Sequence, residues 1–202
     1  MLEVTRLAFE RPGGLRFFYD FTLAAGHILA VQGPSGVGKT TLLDLIAGFE
    51  TPDGGHLAWN GEAFAHLPPW DRPVTTVFQS DNLFAHLTCR DNVTIALDDK
   101  NVDPGVVDNA FARLEIDGLQ SRLPEDISGG QQQRVALVRA MLRARPILLL
   151  DESFSALDWS TRKGCFDALR ELAAARNMAV VFVSHDDRDA DYLGCEVMRL
   201  TT

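Results

Sequence analysis

The run Gly33-Pro34-Ser35-Gly36-Val37-Gly38-Lys39-Thr40 follows an apolar segment, His27 to Gln32, and leads into Thr40 to Gly48, where Leu42, Leu43, Leu45 and Ile46 cluster. Its Gly-x-x-x-x-Gly-Lys-Thr spacing wraps successive backbone N–H groups around the phosphates of a nucleotide, because a glycine backbone approaches where a Cβ would collide. Lys39 adds a point charge and Thr40 a hydroxyl for Mg2+. With a strand before it and a helix after it, the loop sets the phosphates at a helix N-terminus, where free N–H groups and the helix dipole favour anions. A glycine turn that merely contains Lys-Thr would lack those flanks.

Composition agrees with one α/β domain. The 202 residues are 46% apolar and 23% charged, enough for one sizeable core with a smaller lobe. No window reaches the roughly 20 uninterrupted apolar residues of a membrane span. Met1-Leu2-Glu3-Val4-Thr5-Arg6 has neither the basic start nor the apolar core of a signal peptide, which predicts a chain that stays in the cytoplasm. A net charge of −9 argues against a nucleic-acid partner, which wants a basic stripe, and against direct binding to anionic lipid. A membrane role would then run through a protein partner. Cys89, Cys165 and Cys195 are odd in number and lack metal spacing, so they read as reduced, structural thiols.

Along the chain, alternating segments at Leu2 to Phe9 and Leu15 to Leu23 predict hairpin strands, and His56 to Trp59 before Asn60-Gly61 predicts another. Val74 to Phe78 is a β-branched strand ending at Gln79. From Asp81 to about Gln120 the apolar spacing becomes helical, and Gln131 to Ala144 is a second helix. Ile147 to Leu150 and Ala179 to Val183 are continuous apolar runs, as in central strands of a parallel sheet covered on both faces. The expected organisation is a core with a β subdomain, residues 1–79 and 146–202, and an inserted helical lobe, residues 80–145.

The strand ending Leu150-Asp151-Glu152 sets two carboxylates at the carboxyl edge of that sheet, beside the glycine loop. Asp151 would hold Mg2+ through water and Glu152 would orient and deprotonate an attacking water. A second strand ends Val183-Ser184-His185-Asp186, which puts an imidazole at the same edge, within reach of a γ-phosphate oxygen.

With Ser128-Gly129-Gly130-Gln131 added, these residues resemble the nucleotide-binding subunits of ATP-binding-cassette (ABC) transporters, over nearly all of the chain. Gly33 to Thr40 resembles the family's Walker A motif, Leu148 to Asp151 its Walker B, Glu152 its catalytic carboxylate, Gln79 its Q-loop, Ser155 to Asp158 its D-loop and His185 its switch histidine. Ser128 to Gln131 is similar to the family signature, with Ile127 in place of the customary leucine. The resemblance implies a P-loop NTPase (RecA-like) core with an N-terminal antiparallel β subdomain and an inserted α-helical subdomain. It also implies ATP and Mg2+ as ligands, nucleotide contacts that extend to Thr41, and Gln79 beside Thr40 and Asp151 at the metal. Ser128 and the two glycines form an N–H-rich nest with no nucleotide of its own, so it would receive the γ-phosphate held by a partner's P-loop in a two-fold homodimer.

In the resembled family the helical lobe docks a membrane permease, which places a groove at Ser80, Asp81, Asn82, Leu83, Phe84, His86, Leu87 and Thr88, with Leu83 and Phe84 as exposed anchors. The chain would then lie peripherally on the cytoplasmic face of the bacterial inner membrane and meet a solute-binding protein only indirectly. The phrases Leu45 to Pro52, Asp71 to Val74, Val77 to Thr88 and Ile147 to Asp158 look most like the ATPases of importers of thiamine and thiamine pyrophosphate. Parts of them are shared with importers of sulfate, polyamines, iron and molybdate. The other reading is an ABC-type ATPase acting on nucleic acid or ribosomes, against which the acidic charge stands. The chain departs from the family pattern at two positions. Ser153 stands where proline is usual, which predicts a looser turn. Where an adenine-stacking aromatic is usual, two positions after Phe9, the chain has Arg11, leaving Arg11, Phe9, Phe17 or Tyr19 to meet the base.

Overall fold

A computed structural model describes residues 1–80, 82–97, 103–143 and 145–201. Strand β1 (Leu2–Arg11) pairs antiparallel with β2 (Leu15–Leu23) and with β4 (Gly54–Trp59), and β4 with the short β5 (Glu62–Ala63). Alternation drives this sheet, but its phase changes part-way. Leu2 and Val4 face the core, then Leu7 and Phe9 do, and the register shifts between Val4 and Leu7. Arg6 sits at φ 45 in that bulge, and a Cβ on Gly55 opposite would stand 2.3 Å from the Arg6 carbonyl oxygen. The bulge therefore needs glycine across from it.

The second sheet is parallel, in the order β6 (Val74–Val77), β7 (Ile147–Asp151), β8 (Ala179–Val183), β3 (Ile28–Gln32), β9 (Glu196–Arg199). Its central strands are buried on both faces, which is why they read as unbroken apolar runs. Alternate residues feed two cores. Leu29, Val31, Leu149 and Val181 join the antiparallel sheet and helix α1 (Lys39–Ala47). Ala30, Leu148, Leu150 and Phe182 join α3 (Pro104–Arg113), α4 (Gly129–Leu142) and α5 (Trp159–Arg176). Two shorter helices, α2 (Cys89–Thr94) and α6 (Asp187–Leu193), complete the described α-helices. Of the helical spacing expected from Asp81 to about Gln120, the described residues form helix only at α2 and α3; Asp81, residues 98–102 and Ala144 lie outside the described residues.

Arg72 fixes the far end of α1. Its buried guanidinium donates to the Leu45 and Ile46 carbonyls at 2.7 and 2.9 Å, and to Leu67 and Ala65 at 2.9 and 2.7 Å. The Leu45 and Ile46 carbonyls are ones a helix end otherwise leaves unpaired. The helix that the glycine loop opens is thereby anchored at its far end.

Candidate active site

Gly38 opens α1 at φ 104, and a Cβ there would lie 2.5 Å from the Phe17 ring. The Tyr19 hydroxyl donates to the Gly38 carbonyl at 2.7 Å. Burial pushes that phenol well above its usual range, with the Arg11 charge pulling the other way, so it stays a neutral donor. The antiparallel sheet thus clamps the loop from one side. Lys39 is buried and donates to the Gly33 and Pro34 carbonyls at 2.8 and 2.9 Å, curling the loop around its own ammonium.

The parallel sheet supplies the acids. Burial raises the Asp151 carboxyl, the Thr40 hydrogen bond lowers it, Glu152 raises it further, and Lys39 and His185 lower it. Its Oδ1 is buried without a protein partner. An orphaned carboxylate oxygen beside the Thr40 hydroxyl fits a cation-binding corner, the oxygen donors a hard cation takes. Among the described residues no group of three or more His, Cys, Asp or Glu side chains is arranged to hold a metal.

Glu152 leaves β7 at φ 47, a left-handed turn that swings its side chain off the strand line. Its Oε2 accepts from Gln79 Nε2 at 3.0 Å, and its Oε1 pairs with His185 Nε2. The carboxylate is held from the ends of β6, β7 and β8 at once. Ser153 does not loosen this turn as the sequence predicts. It is fully buried, and its hydroxyl lies 3.2 Å from the Val77 carbonyl and 3.3 Å from that of Asp151, tying β6 to β7 where proline could donate nothing.

A cleft of about 270 Å³ is lined by Arg11, Ser35, Gly36, Gly38, Lys39, Thr40, Thr41, Glu152 and His185. Ser128, Gly129, Gly130 and Gln131 do not line it. They open α4 with a reciprocal cap, Gln131 N to Ser128 Oγ at 3.3 Å and Ser128 N to Gln131 Oε1 at 2.8 Å. Gly130 lies against Leu157, a residue of the Ser155 to Asp158 turn.

Residues 19–155 match the family described as ABC transporter. The chain belongs to that family. A relative named as a thiamine import ATP-binding protein, ThiQ, from Chelativorans is 43% identical over 96% of this chain and 80% of its own length. Relatives of the same name from Brucella suis and Vibrio cholerae are 45% and 41% identical over 90% and 92% of this chain. Among solved structures, the dimeric bacterial ABC transporter cassette MJ0796 is 26% identical with a TM-score of 0.85, covering 99% of this chain and 94% of its own. A dimeric post-hydrolysis state of that cassette, bound to ADP and Pi, has a TM-score of 0.86.

Against the ABC pattern, sequence reasoning missed one network. Arg162 of α5 donates to Asp189 at 3.1 Å and to the Leu157 carbonyl at 3.1 Å, and Ser184 Oγ donates to Asp189 at 2.6 Å. Asp189 is only 2% exposed. This pair ties the Ser155 to Asp158 turn to the strand end that carries His185. Its only sequence signal was a lone Arg and a lone Asp, 27 residues apart.

A larger groove, about 780 Å³, lies on the helical side, with Phe49, Phe78, Leu83, Phe84, Ile95 and Arg139 among its walls. Phe84 is 49% exposed, as expected of an anchor. Leu83 corrects the expected exposure: it is only half-exposed and packs against the helical core. Phe49 and Phe78 stand in the same groove, half-exposed and 5.6 Å apart between ring centroids.

Proposed function

We propose that this chain is the ATP-hydrolysing subunit that energises an ABC importer of thiamine or thiamine pyrophosphate, working as a homodimer on the cytoplasmic face of the inner membrane. The observation that carries the chemistry is the Glu152 carboxylate, held by Gln79 and His185 at the mouth of the Lys39 cleft. Glu152 accepts the proton of the attacking water, and its fixed position converts a bimolecular proton transfer into a local one. Lys39 and the loop N–H groups, Gly33 to Thr41, hold the phosphates. His185, at the same sheet edge, hydrogen-bonds the γ-phosphate of the bound nucleotide. Thr40 and Asp151, with Gln79 beside them, would hold Mg2+, which when bound neutralises phosphate charge as the terminal bond breaks. Ser128, Gly129, Gly130 and Gln131 complete the site of the partner chain.

Gln79 lies two residues beyond β6 and next to Phe78, a residue of the larger groove. A change in its partner therefore reaches the surface where a permease helix would sit, with Phe49, Phe78 and Phe84 as apolar seats. Among the described residues no helix is long and apolar enough to cross a membrane, in keeping with a membrane role through that partner. The thiamine assignment rests on the relatives' names, because no residue of this subunit would touch the solute. The test is to purify the chain with its co-isolating membrane partner and measure ATPase with solute-loaded binding proteins. Stimulation by the thiamine-loaded protein alone supports the reading. Stimulation by a sulfate-, polyamine-, iron- or molybdate-loaded one replaces the solute.

A further inference from the structure

The bulge in β1 has its effect at the cleft. Beyond it Leu7 and Phe9 face inward, so the next inward residue is Arg11, where an unbroken strand would present Glu10. The Arg11 side chain donates to Thr41 Oγ1 at 2.7 Å. Its guanidinium carbon lies 5.5 Å from the Phe17 ring centroid, and it lines the cleft with Lys39 and Thr40.

The rings nearby are committed elsewhere. Phe9, Phe17 and Tyr19 are 8%, 7% and 3% exposed, and Phe17 and Tyr19 are pressed on Gly38. None has a free face for a base. In a loop of this kind the lysine serves the β- and γ-phosphates, and the N–H groups that open the helix serve the α- and β-phosphates. Thr41 stands in that opening turn, so a cation bonded to it stands at the α-phosphate end. A guanidinium has five donors in a fixed plane. The Phe17 ring steadies the plane, Thr41 takes one donor, and others remain for anionic oxygens.

We propose that Arg11 is a second cation of the nucleotide site, gripping the triphosphate at its α end, so that charge does the work a stacking aromatic would otherwise do. This rests on the ATPase reading and deepens it. The test is calorimetric titration of the full chain with MgATP and with inorganic tripolyphosphate, which has no base, for the unmodified protein and for Arg11→Gln, Arg11→Lys and Arg11→Tyr, each checked for an unchanged melting profile. Arg11→Gln should weaken both ligands by about tenfold or more. Arg11→Lys should restore most of both, while Arg11→Tyr should leave tripolyphosphate as weak as Arg11→Gln does. Tripolyphosphate binding unchanged in Arg11→Gln, or MgATP bound more tightly by Arg11→Tyr than by the unmodified chain, would overturn the proposal. An unmodified chain that binds neither ligand would overturn the nucleotide-site reading itself.

Discussion

Two glycine-rich stretches each open a helix in this protein, and they are built differently. The Gly33 to Thr40 loop is walled in. Gly38 is pressed on Phe17 and Tyr19, Gly33 on the Leu200 carbonyl, and Lys39, Asp151 and Glu152 converge beside it. The Ser128 to Gln131 stretch faces outward, and a Cβ on Gly129 would meet nothing within 4 Å. Both present N–H groups suited to an anion, yet only the first has side chains around it to finish a site. A complete half and an incomplete half on one chain are what a composite site across two chains requires.

The largest expected effect isolates chemistry from assembly. Glu152→Gln should keep MgATP binding but lower kcat by about 10²- to 10⁴-fold, the range for a lost general base. Light scattering should then find a nucleotide-bound dimer that persists; an ATP-bound variant that stays monomeric would sever the link between the halves. Next comes a matched pair of substitutions. Gly38→Ala should destabilise the chain by about 3 kcal/mol, from its positive φ and the Phe17 clash. Gly129→Ala should leave the melting temperature unchanged or slightly raised while still impairing turnover. Thermal melts beside ATPase rates check both.

Asp189→Asn sharpens the contrast from within the complete half. It weakens a buried charge pair with Arg162 and so should cost about 3 kcal/mol. As a positioning residue, Asp189 should also affect kcat more than KM, because His185 is held through Ser184. Smallest is a pH effect at Asp151. Burial raises its native pKa above the ordinary 3.8, so the ionised form is disfavoured in the fold. That contribution to stability is fully present below about 3.8 and is lost as pH rises through the raised native value. Asp151→Asn should therefore raise the melting temperature of the nucleotide-free chain at pH 7, and the gain should shrink as pH falls through that window. Melts at pH 7 and pH 4 decide it.

The sequence carried more of the sheet than of the contacts around the cleft. Continuous apolar runs located β7 and β8, and alternation located β1 and β2, because burial on two faces or on one leaves a direct trace in residue type. The acids and His185 were legible because a polar residue ending a buried strand has to emerge at the sheet edge. Contacts with long separation left no such trace. Arg72 under the end of α1, the Arg162 to Asp189 pair and the Ser153 hydroxyl on Val77 depend on which elements meet. The bulge at Arg6 changed the face on which Arg11 stands, a one-residue event that alternation could not place.

The composite site is tested most directly by mixing two dead variants, Lys39→Ala and Ser128→Arg, and assaying ATPase. Each alone lacks one half of every site. In the mixed dimer, one site joins an intact loop to an intact Ser128 stretch, so activity should return to about a quarter of the unmodified level under random pairing. Two folded variants that bind each other yet stay inactive, or either variant active alone, would contradict the account.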